Sequence, residues 1–209
     1  LRERAADSIK SAARFVFMST IRAFICVELS SEMRRKLGEM IAQLSRVAPE
    51  RSVRWDKADK IHLTLKFLGD TPLDDVPRIS EALASATRDI KNFSFRLDGL
   101  GCFPNIKQPR VVWVGVKDSA TLINLQSMVE KYVVPLGFPK EDRAFSPHLT
   151  LGRVRREASR AEAASVGEAV RAHANQTFGI ESVSRVILMK SDLQRGGSIY
   201  TPLFMTPLC

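Results

Sequence analysis

The tetrapeptide HLTL occurs twice in this chain, as IHLTLKFLGD at 61–70 and as SPHLTLGRV at 146–154. Two of its three histidines sit in those copies. A strand motif written twice restricts the fold more than any other feature, because the chain must build two similar strands and cover the apolar side of each. Strand side chains alternate between faces. In the first copy Ile61, Leu63, Leu65 and Phe67 then share one face, and His62, Thr64 and Lys66 the other. In the second, Leu149 and Leu151 face inward while His148 and Thr150 share the opposite face. Each copy offers one titratable nitrogen and one hydroxyl, about 7 Å apart along the strand.

The surrounding pattern alternates strands and amphipathic helices. IRAFICVEL (21–29) reads as a strand, and Met33, Leu37, Met40, Ile41 and Leu44 recur at helical spacing over 31–46, behind the capping residues Ser30 and Ser31. Short strands follow at 53–57 and 61–68, a turn at Gly69-Asp70 and Pro72, and a helix over 73–90. FSFRLDGLGCF (93–103) and RVVWVGV (110–116) read as strands, and residues 119–133 as a helix ended by Pro135-Leu-Gly. After the second HLTL copy come a charged helix at 158–172 and one long or two short strands at 178–193. Gly196-Gly197 then turn the chain into a proline-interrupted edge strand. The order implies an α+β fold with an approximate internal duplication, folded as one bilobal domain over 18–209.

Composition narrows the function classes. The 209 residues, 44% of them hydrophobic, suffice for one core or two lobes sharing one. No apolar run approaches the ~18 residues of a membrane span. Cys26, Cys102 and Cys209 are scattered and form no CxxC pair, so neither a zinc site nor a disulfide framework is indicated, and a reducing, cytoplasmic setting is expected. The net charge of +9 favours a polyanionic partner without naming one. Translation is expected to start at Met18, leaving residues 1–17 as an upstream extension.

Two His-x-Thr faces brought together make a four-residue site. Two imidazoles divide general-acid and general-base work near neutral pH, and two hydroxyls donate to non-bridging oxygens, which suits attack on a phosphodiester without a metal or other cofactor. The plain alternative is that both histidines are solvated strand residues and both threonines simply good strand formers. His173, alone in the charged helix, is assigned to the surface.

These residues resemble the 2H phosphoesterase superfamily, and within it the bacterial and archaeal RNA 2′,3′-cyclic phosphodiesterases, also called 2′-5′ RNA ligases. The resemblance runs through RAFICVEL, VRWDKADKIHLTLKFLGD, LDGLGCFPNIKQPRVVWVGV, LGFPKEDRAFSPHLTLGRV and LMKSDLQRGGSIYTPL. It implies two antiparallel sheets related by a pseudo-twofold axis with the site in the cleft between them. It further implies hydrolysis of a 2′,3′-cyclic phosphate to a 2′-phosphomonoester, on RNA ends or small cyclic nucleotides. His62 would be the proton donor, His148 the proton acceptor, and Thr64 and Thr150 the phosphate-binding hydroxyls. The division between the histidines comes from the resemblance, since the residues themselves are symmetric on the point.

Around this core stand further candidates. Lys66 shares the face of His62 and either reaches the substrate or stays solvated. Arg153 reaches the phosphate only if the strand bulges or ends before it. Arg143 and Phe145 precede the second motif and line the cleft, and Tyr200 either stacks on a base or packs in its strand. A monomer is expected. The competing readings are a nucleotide- or RNA-end-binding module using the same cleft, and 2′-5′ ligation at the same site.

Overall fold

Residues 19–194 and 197–209 are described by a computed structural model. Strand β1 (Thr20–Glu28) leads into helix α1 (Ser31–Val47), which starts where the Ser30 hydroxyl accepts from the Met33 amide at 3.2 Å. This helix buries Met33, Leu37, Met40 and Leu44, the stripe a 3.6-residue period predicts. Next come β2 (Val53–Trp55), β3 (His62–Pro72), α2 (Val76–Thr87), β4 (Phe93–Phe103) and β5 (Val111–Lys117). The remainder is α3 (Ala120–Val133), β6 (His148–Val154), α4 (Arg160–Arg171), β7 (Thr177–Val183), β8 (Arg185–Gln194) and β9 (Gly197–Pro207). The 178–193 stretch is thus two strands, and they join different sheets. The expected extension at 1–17 lies outside the described residues, as does Gly196 of the expected turn.

The strands form two antiparallel sheets, one ordered β3-β1-β8-β9 and the other β2-β6-β5-β4-β7. The expected α+β duplication is visible in the register. Ile25, Cys26, Val27 and Glu28 face Lys66, Thr64, Leu63 and His62. Val112, Trp113, Val114 and Gly115 face Gly152, Thr150, Leu149 and His148. So β1 and β5 correspond, as do β3 and β6, residue for residue. Helices α2 and α3 pack on the four-stranded sheet, and α1 and α4 on the five-stranded one. As expected, β9 is an edge strand. Among the described residues no helix is long and apolar enough to cross a membrane.

Strict alternation fails at one place in each motif strand, and it is the same place. Cys26 and Ile25 are adjacent in β1, but their partners Thr64 and Lys66 skip Leu65. Trp113 and Val112 are adjacent in β5, but their partners Thr150 and Gly152 skip Leu151. Each strand therefore carries a β-bulge directly after its His-x-Thr pair, and every later side chain changes face. Phe67, expected inside, is 63% exposed, whereas Lys66, expected beside His62, is 2% exposed. A second irregularity falls between Ala23 and Phe24, where Gly69 takes the left-handed conformation at φ 71°. Gly69, Asp70 and Pro72 therefore belong to a bulged strand that runs on to Pro72, and not to the expected turn.

At the bulge the halves diverge. Lys66 drives its ammonium inward, 2.7 Å from Glu130 Oε1 on α3, and donates to the Pro139 carbonyl at 2.6 Å. This ties β3 to the helix and loop that lead to the second motif. At the matching position of β6 no side chain fits: a Cβ on Gly152 would lie 2.8 Å from the Trp55 ring and 2.9 Å from a Val53 methyl, both on β2. Because the Lys66 pair is almost fully enclosed, removing one partner leaves a buried charge. Lys66→Ala is expected to cost roughly 3–5 kcal/mol in urea unfolding, and Lys66→Met combined with Glu130→Leu to recover most of it. Equal losses in the single and double variants would show that the pair is not the source.

Candidate active site in the cleft between the sheets

The outer ends of β3 and β6 meet across a cavity of about 1330 Å³, lined by His62, Thr64, His148 and Thr150 together. The two cassettes thus share one cleft, and both histidines are held alike. His62 Nδ1 donates to the Lys60 carbonyl at 2.9 Å, and His148 Nδ1 donates to the Ser146 carbonyl at 2.8 Å. A carbonyl only accepts, so each Nδ1 carries a hydrogen. Each Nε2 is left to exchange a proton with whatever occupies the cleft.

Aromatic rings fix both imidazoles from the side. Phe24 stacks on His62 with centroids 4.7 Å apart and planes at 26°, and Tyr200 meets His62 edge-on at 5.1 Å. Phe103 meets His148 edge-on at 4.9 Å. Burial lowers the His62 pKa below the usual histidine value. The Lys60 carbonyl pulls the other way, Arg34 adds to the lowering, and Glu28, opposite on β1, raises it. An imidazolium over the Phe24 face gains cation–π attraction, so the same ring that excludes water also favours the protonated state once an anion is present.

The remaining candidates divide. Arg153, exposed by the bulge, faces the cleft with His148 and Thr150, as do Arg143 and the half-buried Phe145. Tyr200 lines the cleft while packing edge-on against Phe24 at 5.2 Å, so its ring is part of the wall that holds His62. Lys66 is among the residues lining the cavity, but its ammonium is committed to Glu130 and the Pro139 carbonyl. His173, in the turn just past α4 and not in the helix as expected, donates from Nδ1 to the Ala169 carbonyl and is absent from the cleft lining. Among the described residues no three His, Cys, Asp or Glu side chains converge as a metal site would require.

Sequence reasoning passed over Phe24, Phe67 and Phe103. Phe24 lies in the uniformly apolar stretch AFICV, where neither face stands out. Phe67 reads as core until the bulge is known. Phe103 was seen only as the end of a strand.

A family model described as LigT like Phosphoesterase matches residues 27–113 and again 114–200, one match per half. An RNA 2′,3′-cyclic phosphodiesterase of Archaeoglobus fulgidus is 34% identical over 88% of this chain and 98% of its own length. One from Methanothermobacter thermautotrophicus is 33% identical, covering 88% and 96%. Among solved structures, a Thermus thermophilus protein superposes with a TM-score of 0.74 at 30% identity, covering 90% of this chain and 98% of its own. Escherichia coli LigT in complex with 3′-AMP gives 0.71 at 26%, covering 91% and 99%.

The lowered pKa of His62 has a signature in stability. The folded protein binds that proton less tightly than the unfolded chain, so burying neutral His62 favours folding above the ordinary histidine pKa of about 6.5. This contribution is lost as pH falls through that value towards the lower folded one. Between about pH 7.5 and about pH 5 the unfolding temperature of the wild type should fall further than that of His62→Asn. Identical slopes would show that protonating His62 does not strain the fold.

Proposed function

The chain belongs to the LigT-like phosphoesterase family, and from that premise we propose that it is an RNA 2′,3′-cyclic phosphodiesterase, hydrolysing cyclic phosphate ends to 2′-phosphomonoesters by paired histidine catalysis. The observation that carries this reading is the identical bracing of the two imidazoles, each with Nδ1 on the carbonyl two residues upstream and both lining one cleft. A site built for binding alone has no need of two matched, proton-exchanging nitrogens.

In the proposed reaction a water oxygen attacks phosphorus while His148 Nε2 takes one of its protons. The bond from phosphorus to the 3′ oxygen breaks, and His62 Nε2–H delivers a proton to that oxygen. The products are a 2′-phosphate and a 3′-hydroxyl, with one proton taken up at His148 and one given up at His62. Thr64, Thr150 and Arg153 hold the non-bridging oxygens, where charge accumulates. In the empty cleft His62 is biased towards its neutral form. The anionic phosphate opposes that bias, so the acid acquires its proton as the substrate binds. Ligation is the same displacement with a 5′-hydroxyl in place of water, giving a 2′-5′ bond. The size of the cleft favours this second reading, since it exceeds the roughly 300–1,000 Å³ of ordinary small-ligand pockets and leaves room for a second RNA end.

Acid, base and anion-holding groups all come from side chains, so turnover should persist in EDTA. An oligonucleotide ending in a 2′,3′-cyclic phosphate should yield the 2′-phosphate, and His62→Ala and His148→Ala should each lower kcat by about 10²–10⁴-fold with the fold retained. Tight binding without product would favour the binding module. A 3′-phosphate product would reverse the leaving-group assignment.

A further inference from the structure

The two halves match strand for strand around the motifs, but among the described residues β2 has no counterpart. In the four-stranded sheet β3 is the edge, whereas in the five-stranded sheet β2 is added outside β6. This extra strand places Arg54 directly opposite Arg153 on the cleft side. Two more arginines arrive at the same corner through the backbone: the Val154 amide donates to the Arg110 carbonyl at 3.0 Å, and the Arg155 amide donates to the Ser52 carbonyl at 2.8 Å. All four arginines are exposed and line the cleft.

Like charges directly across a ladder destabilise a sheet. Among the described residues none of these four guanidiniums forms an ion pair, although arginines elsewhere on the surface do. Asp56 lies near Arg54 and Arg153 and offsets part of the repulsion, and burial raises its pKa against their pull. The corresponding face of the other sheet has no such cluster. There, Phe67 occupies the position that Arg153 occupies in β6, with Phe24 and Tyr200 beside it. On the four-stranded side Phe24, Phe67 and Tyr200 thus stand together, and on the five-stranded side the four arginines, with Trp55 and Phe103 on the same sheet.

A cyclic phosphate carries a single negative charge, and Arg153 with the two threonines already faces it. Three further arginines are more than one charge requires. We propose that Arg54, Arg110 and Arg155 hold the next phosphate of the substrate, the phosphodiester on the 5′ side of the terminal nucleotide, so that the enzyme prefers RNA ends to cyclic mononucleotides. This rests on the phosphodiesterase reading above and adds a direction to it, with the terminal nucleoside on the aromatic side and the chain leaving over the arginine corner.

The test compares three substrates: adenosine 2′,3′-cyclic phosphate, the same compound with a 5′-phosphate, and a trinucleotide ending in the cyclic phosphate. The wild type should prefer the trinucleotide over the bare mononucleotide by about tenfold or more in kcat/KM, and Arg54→Gln, Arg110→Gln and Arg155→Gln combined should abolish that preference. The 5′-phosphate puts a phosphate at the same position as that phosphodiester, so it should recover part of the preference; if it recovers none, the corner does not hold the phosphate next to the terminal nucleoside and the assignment is overturned. A control combining Arg35→Gln, Arg78→Gln and Arg171→Gln, on helices covering the far faces, should retain the preference. If it does not, the overall field of the chain and not the corner is responsible.

A second readout needs no turnover. Anisotropy of a labelled cyclic-phosphate-ended oligonucleotide on His148→Ala protein, followed against salt, should give a log–log slope shallower by about 0.7, the share of one phosphate on a single strand, when the three corner arginines are replaced. Equal slopes would overturn the corner assignment. If the wild type cleaves none of the substrates yet the slopes differ, the corner stands and the phosphodiesterase reading falls.

Discussion

One extra residue in each motif strand sets everything else. The bulges at Leu65 and Leu151 let His-x-Thr stay on the cleft face while the chain beyond changes sides. Without them, Phe67 and Arg153 would fall on the core side, and Lys66 would carry its charge into the cleft. Bulges increase local twist and re-aim side chains, and here the same device is used at the same register in both halves. What the duplication conserves is thus a local backbone geometry, with the four letters of the motif on its concave side.

From that shared geometry the halves part. One sheet ends at β3 and fills its bulge position with Lys66, whose ammonium is buried against α3. The other gains β2 and must leave the position bare, as Gly152. The substitution is steric on one side and electrostatic on the other, yet both anchor a motif strand to its neighbour. It is this difference that makes the cleft chemically lopsided. An aromatic wall of Phe24, Phe67 and Tyr200 stands across from a group of guanidiniums. Two matched His-x-Thr pairs thereby face an asymmetric cleft.

Much of this was legible in the residues. Helical spacing located α1, α2 and α3, a charged Ala/Glu/Arg composition located α4, and alternation placed the histidines and threonines on one face of each strand. The first bulge was not legible, because HLTLKF alternates without a break; in HLTLGR the charge of Arg153 on the leucine face hints at a break, but does not mark which residue the partner strand will skip. Hence Lys66 was expected in the cleft, and Gly69 in a turn. Arg153 shows the same limit from the other side: its access to the cleft depends on a bulge whose position only the pairing with β5 reveals. Phe24 illustrates a second limit. A strand that is apolar on both faces gives no sign that one face lines a site.

The path of the chain between the sheets has a consequence of its own. It leaves β1 in one sheet, lays α1 on the other, and returns as β3 beside β1; later it leaves β5, lays α3 on the opposite sheet, and returns as β6 beside β5. Each half thus lends its first helix to the other sheet, so each sheet is covered only jointly, one by α2 with α3 and the other by α4 with α1. A chain with only one copy of this unit would expose an uncovered apolar face, and would close only by exchanging helices with a twin. The covalent joining of two copies turns that trade between molecules into an internal one, and it keeps the two histidines in a fixed one-to-one ratio within every cleft.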